Sequence, residues 1–200
     1  RRVGLKKIKA LSLEEQKAFF ECAAGTFYYP AYLVAINTGL RPGELFALTE
    51  KDIDLDNQII YVSKTLSYQP AENETQKEFC INPPKTESSI REVPLNDAAI
   101  KAIRRQQTVH QIVVARRIKE TKFPDLLFTT KFGTPLNVEI FNESIRKIIQ
   151  EVNLSRDPLD QIDNFGGHTF RHTFATRCFE SGIQPKTVQT YLGHASLSMT

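Results

Sequence analysis

The 200-residue chain is 40% hydrophobic and 24% charged, with a formal net charge of +3 at pH 7. That is enough apolar material for one sizeable core, so disulfide staples are unnecessary. Cys22, Cys80 and Cys178, odd in number and without CxxC spacing, read as reduced thiols of a cytoplasmic protein. No apolar run approaches the ~18 residues of a membrane span, and no apolar stretch follows the basic start as a signal peptide would require. An isoelectric point near 8.7 is compatible with nucleic acid but does not select it. The distribution of charge says more. Residues 1–9 carry five bases and no acid, whereas 50–78 carry seven acids against three bases. The basic lead-in reads either as a linker that tracks phosphates or as a solvated tail.

In chain order, Ser12 with Glu15 forms a capping box that opens an amphipathic helix to about Ala24, with Leu13, Ala18 and Phe19 or Phe20 on its core face. Tyr29–Thr38 is an apolar helix stopped by Gly39 in the C′ position. Leu40 and Arg41 lead to Pro42, a favourable first-turn residue, and to a short helix carrying Glu44 to Leu48. Arg41 thus stands beside a helix N-terminus, where free N–H groups favour an anion. Gln58–Ser63 alternates and is β-branched, so it reads as a strand; 64–76 reads as an exposed polar loop, and Glu78–Asn82 and Ile90–Pro94 as two more strands. The polar connection between those two presents Lys85 at its tip. A long helix is expected from Asn96 to about Glu120, an extended segment at Leu126–Thr129, a turn at Gly133-Thr134-Pro135, and helices over Val138–Val152 and His168–Ser181. Pro185 opens a last helix that ends at Gly193. The class is α+β, mainly α, with a small three-stranded antiparallel sheet.

Four short motifs carry the polar chemistry. Each has an ordinary reading on its own. Thr38-Gly39-Leu40-Arg41-Pro42-Gly43-Glu44-Leu45 can be a helix corner with a surface arginine, and Lys85 a solvated hairpin residue. His168-Thr169-Phe170-Arg171-His172 can be an interior helix with satisfied polar groups, and Leu192-Gly193-His194 a helix C-cap. Together they meet the demands of phosphoryl transfer on a diester: cations at the non-bridging oxygens, a nucleophile, and an acid for the leaving oxygen. Arginines chelate phosphate through paired, charge-assisted hydrogen bonds. His168 and Arg171 are three apart and share a helix face, and a histidine can accept a proton near neutral pH. A lysine on a hairpin can reach the leaving-group oxygen. None of this needs a metal or another cofactor. His168 and His172 have metal-ligand spacing, but zinc hydrolases of the H-E-x-x-H type need a glutamate where Thr169 stands. His172 reads instead as a support for the helix.

Arg41 within T-G-L-R-x-x-E-L, Lys85 within P-K-T-x-x-S-x-R-x-V-P, His168-x-x-Arg171 and Leu-Gly-His194 stand in the order and spacing of the tyrosine recombinases. The chain resembles that family from Leu11 to Thr200, most of all the integrases of phages and conjugative transposons. The resemblance implies a helical catalytic domain that cuts and rejoins double-stranded DNA through a 3′-phosphotyrosine, integrating or excising a mobile element. Arg41 and Arg171 would clamp the scissile phosphate, with His168 assisting as proton acceptor or hydrogen-bond donor. Lys85 would protonate the leaving 5′-oxygen, and His194 would hydrogen-bond a non-bridging oxygen. Glu44 would orient Arg41 or its neighbours. The family commonly works as a tetramer on paired sites.

The sequence departs from the family in one respect. The attacking tyrosine lies further beyond the final histidine than the six residues that follow His194 here. Tyr191 precedes that histidine and reads as a packing residue. Residues 1–10 are therefore expected to be a basic linker from a core-binding domain, and 11–200 a catalytic domain without its tyrosine segment, unable to cleave alone. Arg91, Lys131, Arg146, Lys147, Arg177 and Lys186 are candidates for DNA-backbone contact. The competing classes are a type IB topoisomerase-like domain, a non-catalytic DNA-binding module and, more remotely, a metallohydrolase.

Overall fold

Helix start signals place the first element where the sequence puts it. In the computed structural model, which describes residues 10–70, 76–84, 87–117 and 120–193, α1 spans Leu13–Ala23. Its capping box is closed in both directions: Glu15 N donates to Ser12 Oγ at 3.1 Å, and Ser12 N donates to Glu15 Oε2 at 2.7 Å. Phe19 is fully buried, with Ala18 and Phe20 packed against the core. Leu13, expected on that face, is 68% exposed. Six residues at 3.6 per turn set it about 120° from Phe19, off the buried stripe.

The second helix, α2 (Tyr29–Thr38), is apolar on nearly all sides and forms the centre of the molecule, packed against α4 (Asp97–Arg116) and α6 (Gly167–Glu180). Gly39 ends it in the left-handed region at φ 64°, its N–H bonded to Ala35 O. A short helix, α3 (Pro42–Ala47), follows at once. The remaining helices are α5 (Val138–Asn153) and α7 (Pro185–Leu192). The long helix α4 stops at Arg116, a turn earlier than its periodicity suggests.

The three-stranded antiparallel sheet has the order β1-β2-β5, from Ile53–Asp54, Ile59–Val62 and Arg91–Pro94. Its membership differs from the sequence reading. Glu78–Asn82 does not join it; that segment lies within β4 (Lys77–Asn82), which pairs with β3 (Thr65–Pro70), a stretch read as loop. The missed signal is the alternation Leu66, Tyr68. Leu66 is buried and sits opposite Ile81, and the Tyr68 and Phe79 rings pair across the strands at 4.6 Å. Such cross-strand pairs stabilise a ribbon despite polar residues between them.

An aromatic cluster joins the helices that carry the polar motifs. Phe19 (α1), Tyr32 (α2), Phe46 (α3), Phe141 (α5) and Phe170 (α6) meet at centroid separations of 5.2–6.5 Å in mostly edge-to-face pairs. Burying each ring contributes roughly 1.5–3 kcal/mol. Phe170 stands between His168 and Arg171, so its burial fixes how α6 is rotated and where those two side chains emerge. A smaller apolar cluster of Ala175, Cys178, Val188 and Leu192, with Phe174 and Ile183, seats α7 on α6. The three cysteines are free.

Candidate active site

Arg41 is the residue immediately before α3, held by the helix's own third residue. Its N–H donates to Glu44 Oε2 and its Nη1 to Glu44 Oε1, both at 2.8 Å. The anion at this helix start is therefore the Glu44 carboxylate. The same carboxylate receives a second guanidinium: Arg91 Nη1 donates to Oε1 at 3.1 Å and Nη2 to Oε2 at 2.9 Å. Burial alone would raise the Glu44 carboxyl, but the hydrogen bonds and charges of Arg91 and Arg41 overcome this and hold it below its ordinary value. Glu44 thus holds both Arg41 and Arg91.

Arg171 projects from α6 into the same cluster. Its Nη1 donates to Gly39 O at 2.8 Å and its Nη2 to Leu192 O, so the ends of α2 and α7 both supply carbonyl oxygens to it. Burial and the neighbouring Arg41 and Arg91 push its pKa down to about 9, with Glu44 opposing. It remains a cation at neutral pH, in surroundings that penalise that charge. Arg41 Nη2 approaches Gly193 O at 3.4 Å. The glycine that terminates α7 therefore borders the cluster too.

His168 opens the same helix and keeps an exposed edge. Partial desolvation, then the charges of His172, Arg171 and Arg41, lower its pKa below the ordinary 6.5, with Glu44 opposing. It is neutral at pH 7 and able to accept a proton. His172, one turn on, is also lowered, by burial and by Arg171. It stands beside the cluster as a flank of α6.

Arg41, Glu44, His168 and Arg171 thus come together. Lys85 and His194 lie outside the described residues. Among the DNA-backbone candidates, Arg91 is corrected: its side chain is 3% exposed and committed to Glu44, so it does not face a solvent-borne phosphate. The strand pattern held the signal, because Arg91 is in phase with buried Val93. Its pairing with Glu44, 47 positions earlier, was not readable from spacing. Arg177 is half-committed as well, donating to Leu11 O at 2.7 Å and paired with Glu180. Lys186 is exposed on α7. Lys131, Arg146 and Lys147 line one open groove of about 920 Å³ between the 130–134 turn and α5, with Arg146 paired to Glu143. Asn142 lines that groove and also accepts from Gly167 N at 2.9 Å, next to His168. The groove therefore adjoins the start of α6.

Comparison with known sequences decides the family: the profile of the phage integrase family matches residues 11–200. The chain belongs to the phage integrase family. It is therefore a tyrosine recombinase-type chain, as its four motifs suggested. It is 28% identical to the transposase of transposon Tn916 of Enterococcus faecalis, over 94% of this chain and 44% of that protein. It is 30% identical to a XerC-like tyrosine recombinase of Caldanaerobacter subterraneus, over 97% of this chain and 49% of the relative. The chain thus spans about half the length of these relatives. Among solved structures it superposes on the Tn1549 transposon integrase in complex with circular intermediate DNA, with a TM-score of 0.80 and 26% identity, over 98% of this chain and 62% of that one. The XerA recombinase shares the fold, with a TM-score of 0.68. No described helix is long and apolar enough to cross a membrane.

Proposed function

We propose that this phage integrase family domain holds one scissile phosphate of double-stranded DNA for metal-independent strand cleavage and rejoining, in the site-specific recombination of a mobile element. The observation that carries the reading is the charge balance of the cluster. Among the described residues three guanidiniums, Arg41, Arg91 and Arg171, gather around the carboxylate of Glu44. Arg91 is spent on Glu44. Arg41, also bonded to Glu44 but 35% exposed, and Arg171, buried against the carbonyls of Gly39 and Leu192, leave two positive charges in surplus beside the open edge of His168. A surplus of partly desolvated cations is stabilised by an anion, and preorganised donors of this kind act on the charge that develops in a phosphoryl-transfer transition state.

In this reading Arg41 and Arg171 take the non-bridging oxygens. Neutral His168 accepts the nucleophile's proton or hydrogen-bonds the phosphate. Lys85 and His194 keep the roles that the family resemblance gives them, as acid for the 5′-oxygen and as donor to a non-bridging oxygen. The nucleophile in this reading is a tyrosine, as the family resemblance implies. Lys131, Arg146, Lys147 and Lys186 contact DNA backbone, the first three along their shared groove. The working form is a tetramer on paired DNA sites, in the cytoplasm.

The test is single-turnover cleavage of a suicide duplex by the full-length natural protein. Arg41→Ala and Arg171→Ala should each lose about 3 kcal/mol or more of transition-state stabilisation, a hundredfold or greater drop in rate. Near wild-type cleavage by both variants would remove the phosphate-clamp role.

A further inference from the structure

Arg91 uses four of its N–H···O contacts on three separate segments. Nη1 and Nη2 reach both oxygens of Glu44 in α3, Nε donates to Tyr191 O at the end of α7 at 2.6 Å, and Nη1 donates to Ser89 O at 3.0 Å. These segments are far apart in sequence and each leads into the site. Glu44 holds Arg41. Tyr191 O lies next to Leu192 O, which receives Arg171, and close before Gly193 O, which Arg41 approaches. Ser89 belongs to the connection that carries Lys85 in the sequence.

A second observation converges on the same side chain. A Cβ built on Gly193 would stand 3.0 Å from Ser88 O, 3.1 Å from Arg91 Cδ and 3.2 Å from Arg91 Nη1, at a φ of +62° that already disfavours other residues. A side chain at the glycine of the Leu-Gly-His motif would thus press on Ser88 O and Arg91, which would have to give by a few tenths of an ångström, and the glycine also terminates the helix.

We infer that Arg91 is a positioning residue for the phosphate site: its planar fork locks α3, the end of α7 and the segment before β5 into one geometry, and so sets where Arg41 and Arg171 point. A lysine cannot replace it, because its three donors radiate from a single nitrogen and cannot grip a carboxylate side-on while reaching two carbonyls. The inference rests on the phosphate-clamp reading.

The experiment compares Arg91→Lys with Arg171→Ala in the full-length protein. It measures thermal midpoint, DNA affinity across a salt series, and single-turnover cleavage. Arg91→Lys keeps the buried charge, so the fold and DNA affinity are expected to stay close to wild type while cleavage falls by about 10- to 100-fold, the scale seen when the partners that orient metal ligands are removed. Gly193→Ala, which leaves every charge in place but crowds Arg91 at a left-handed φ, should lower the thermal midpoint while DNA affinity stays near wild type and cleavage falls, and it covers the case in which Arg91→Lys fails to fold. Wild-type cleavage in a folded Arg91→Lys or in Gly193→Ala overturns the inference. So does a cleavage loss matched by weaker binding and a shallower salt slope, which would return Arg91 to the DNA backbone. If Arg171→Ala also cleaves normally, the phosphate-clamp reading is what has failed; if it alone is crippled, only the role of Arg91 has.

Discussion

At the residue scale, the site among the described residues is a small electrostatic problem, with the Glu44 carboxylate set against three guanidiniums that also bond backbone carbonyls. Glu44 would be costly inside the protein without Arg91 and Arg41, and removing one partner of such a buried pair leaves an uncompensated charge worth about 3–5 kcal/mol. The histidines add a pH dependence whose sign follows from their lowered pKa values. His110, His168 and His172 all fall below the ordinary 6.5 in the folded chain, each chiefly through desolvation. The unfolded chain therefore binds protons first as the pH drops. The histidines' contribution to stability is present above 6.5 and is lost as the pH falls through that value toward the lower folded ones. Chemical denaturation at pH 7.5 and pH 5 should show this loss, and His168→Gln should make it smaller. An unchanged slope in the variant would place the His168 shift elsewhere. Arg41, Glu44, His168 and Arg171, which the structure brings together, were legible because each stands in a short local motif. The sequence could not reveal Arg91's partner, since that contact is made by strand packing and not by spacing.

At the scale of elements, caps and periodicity were the readable features. Gly39 and Gly193 both end helices in the left-handed region, as their positions in the sequence suggested. Both also have carbonyls turned toward arginines of the cluster. Gly39→Ala should be more harmful than a cap change alone. Its Cβ would sit 2.4 Å from Phe174 Cδ1 at a φ of +64°. A loss of about 2 kcal/mol is expected, from left-handed strain and overpacking together, with α6 and α7 forced apart. Urea titration measures it; a loss no greater than the few tenths typical of a neutral surface change would show that Phe174 moves aside freely. The β3–β4 ribbon was illegible for the opposite reason. Its pairing depends on Leu66 meeting Ile81 and Tyr68 meeting Phe79 across the strands, and a segment rich in polar residues does not announce its partner.

For the whole molecule, the aromatic cluster is the frame that holds motifs from distant parts of the sequence around one point. Phe170 touches rings from α1, α2 and α5 and is fully buried between His168 and Arg171. Phe170→Ala should therefore cost about 3–5 kcal/mol of stability, the usual range for a buried phenylalanine. DNA binding should weaken steeply with salt, as phosphate neutralisation requires. Lys131→Ala combined with Lys147→Ala should flatten that slope by about two phosphate contacts' worth; an unaltered slope would take the groove beside α5 off the DNA path.

In the proposed mechanism Arg171 answers a charge on one particular phosphate. The most direct measurement is single-turnover cleavage, by full-length wild type and Arg171→Ala, of a duplex whose scissile phosphate is replaced by a neutral methylphosphonate. On the ordinary phosphate the variant is expected to be slower by about a hundredfold or more. On the methylphosphonate, which has no charge left to neutralise, that penalty should shrink to about tenfold or less. An equal penalty on both substrates would contradict the assignment of Arg171 to the phosphate.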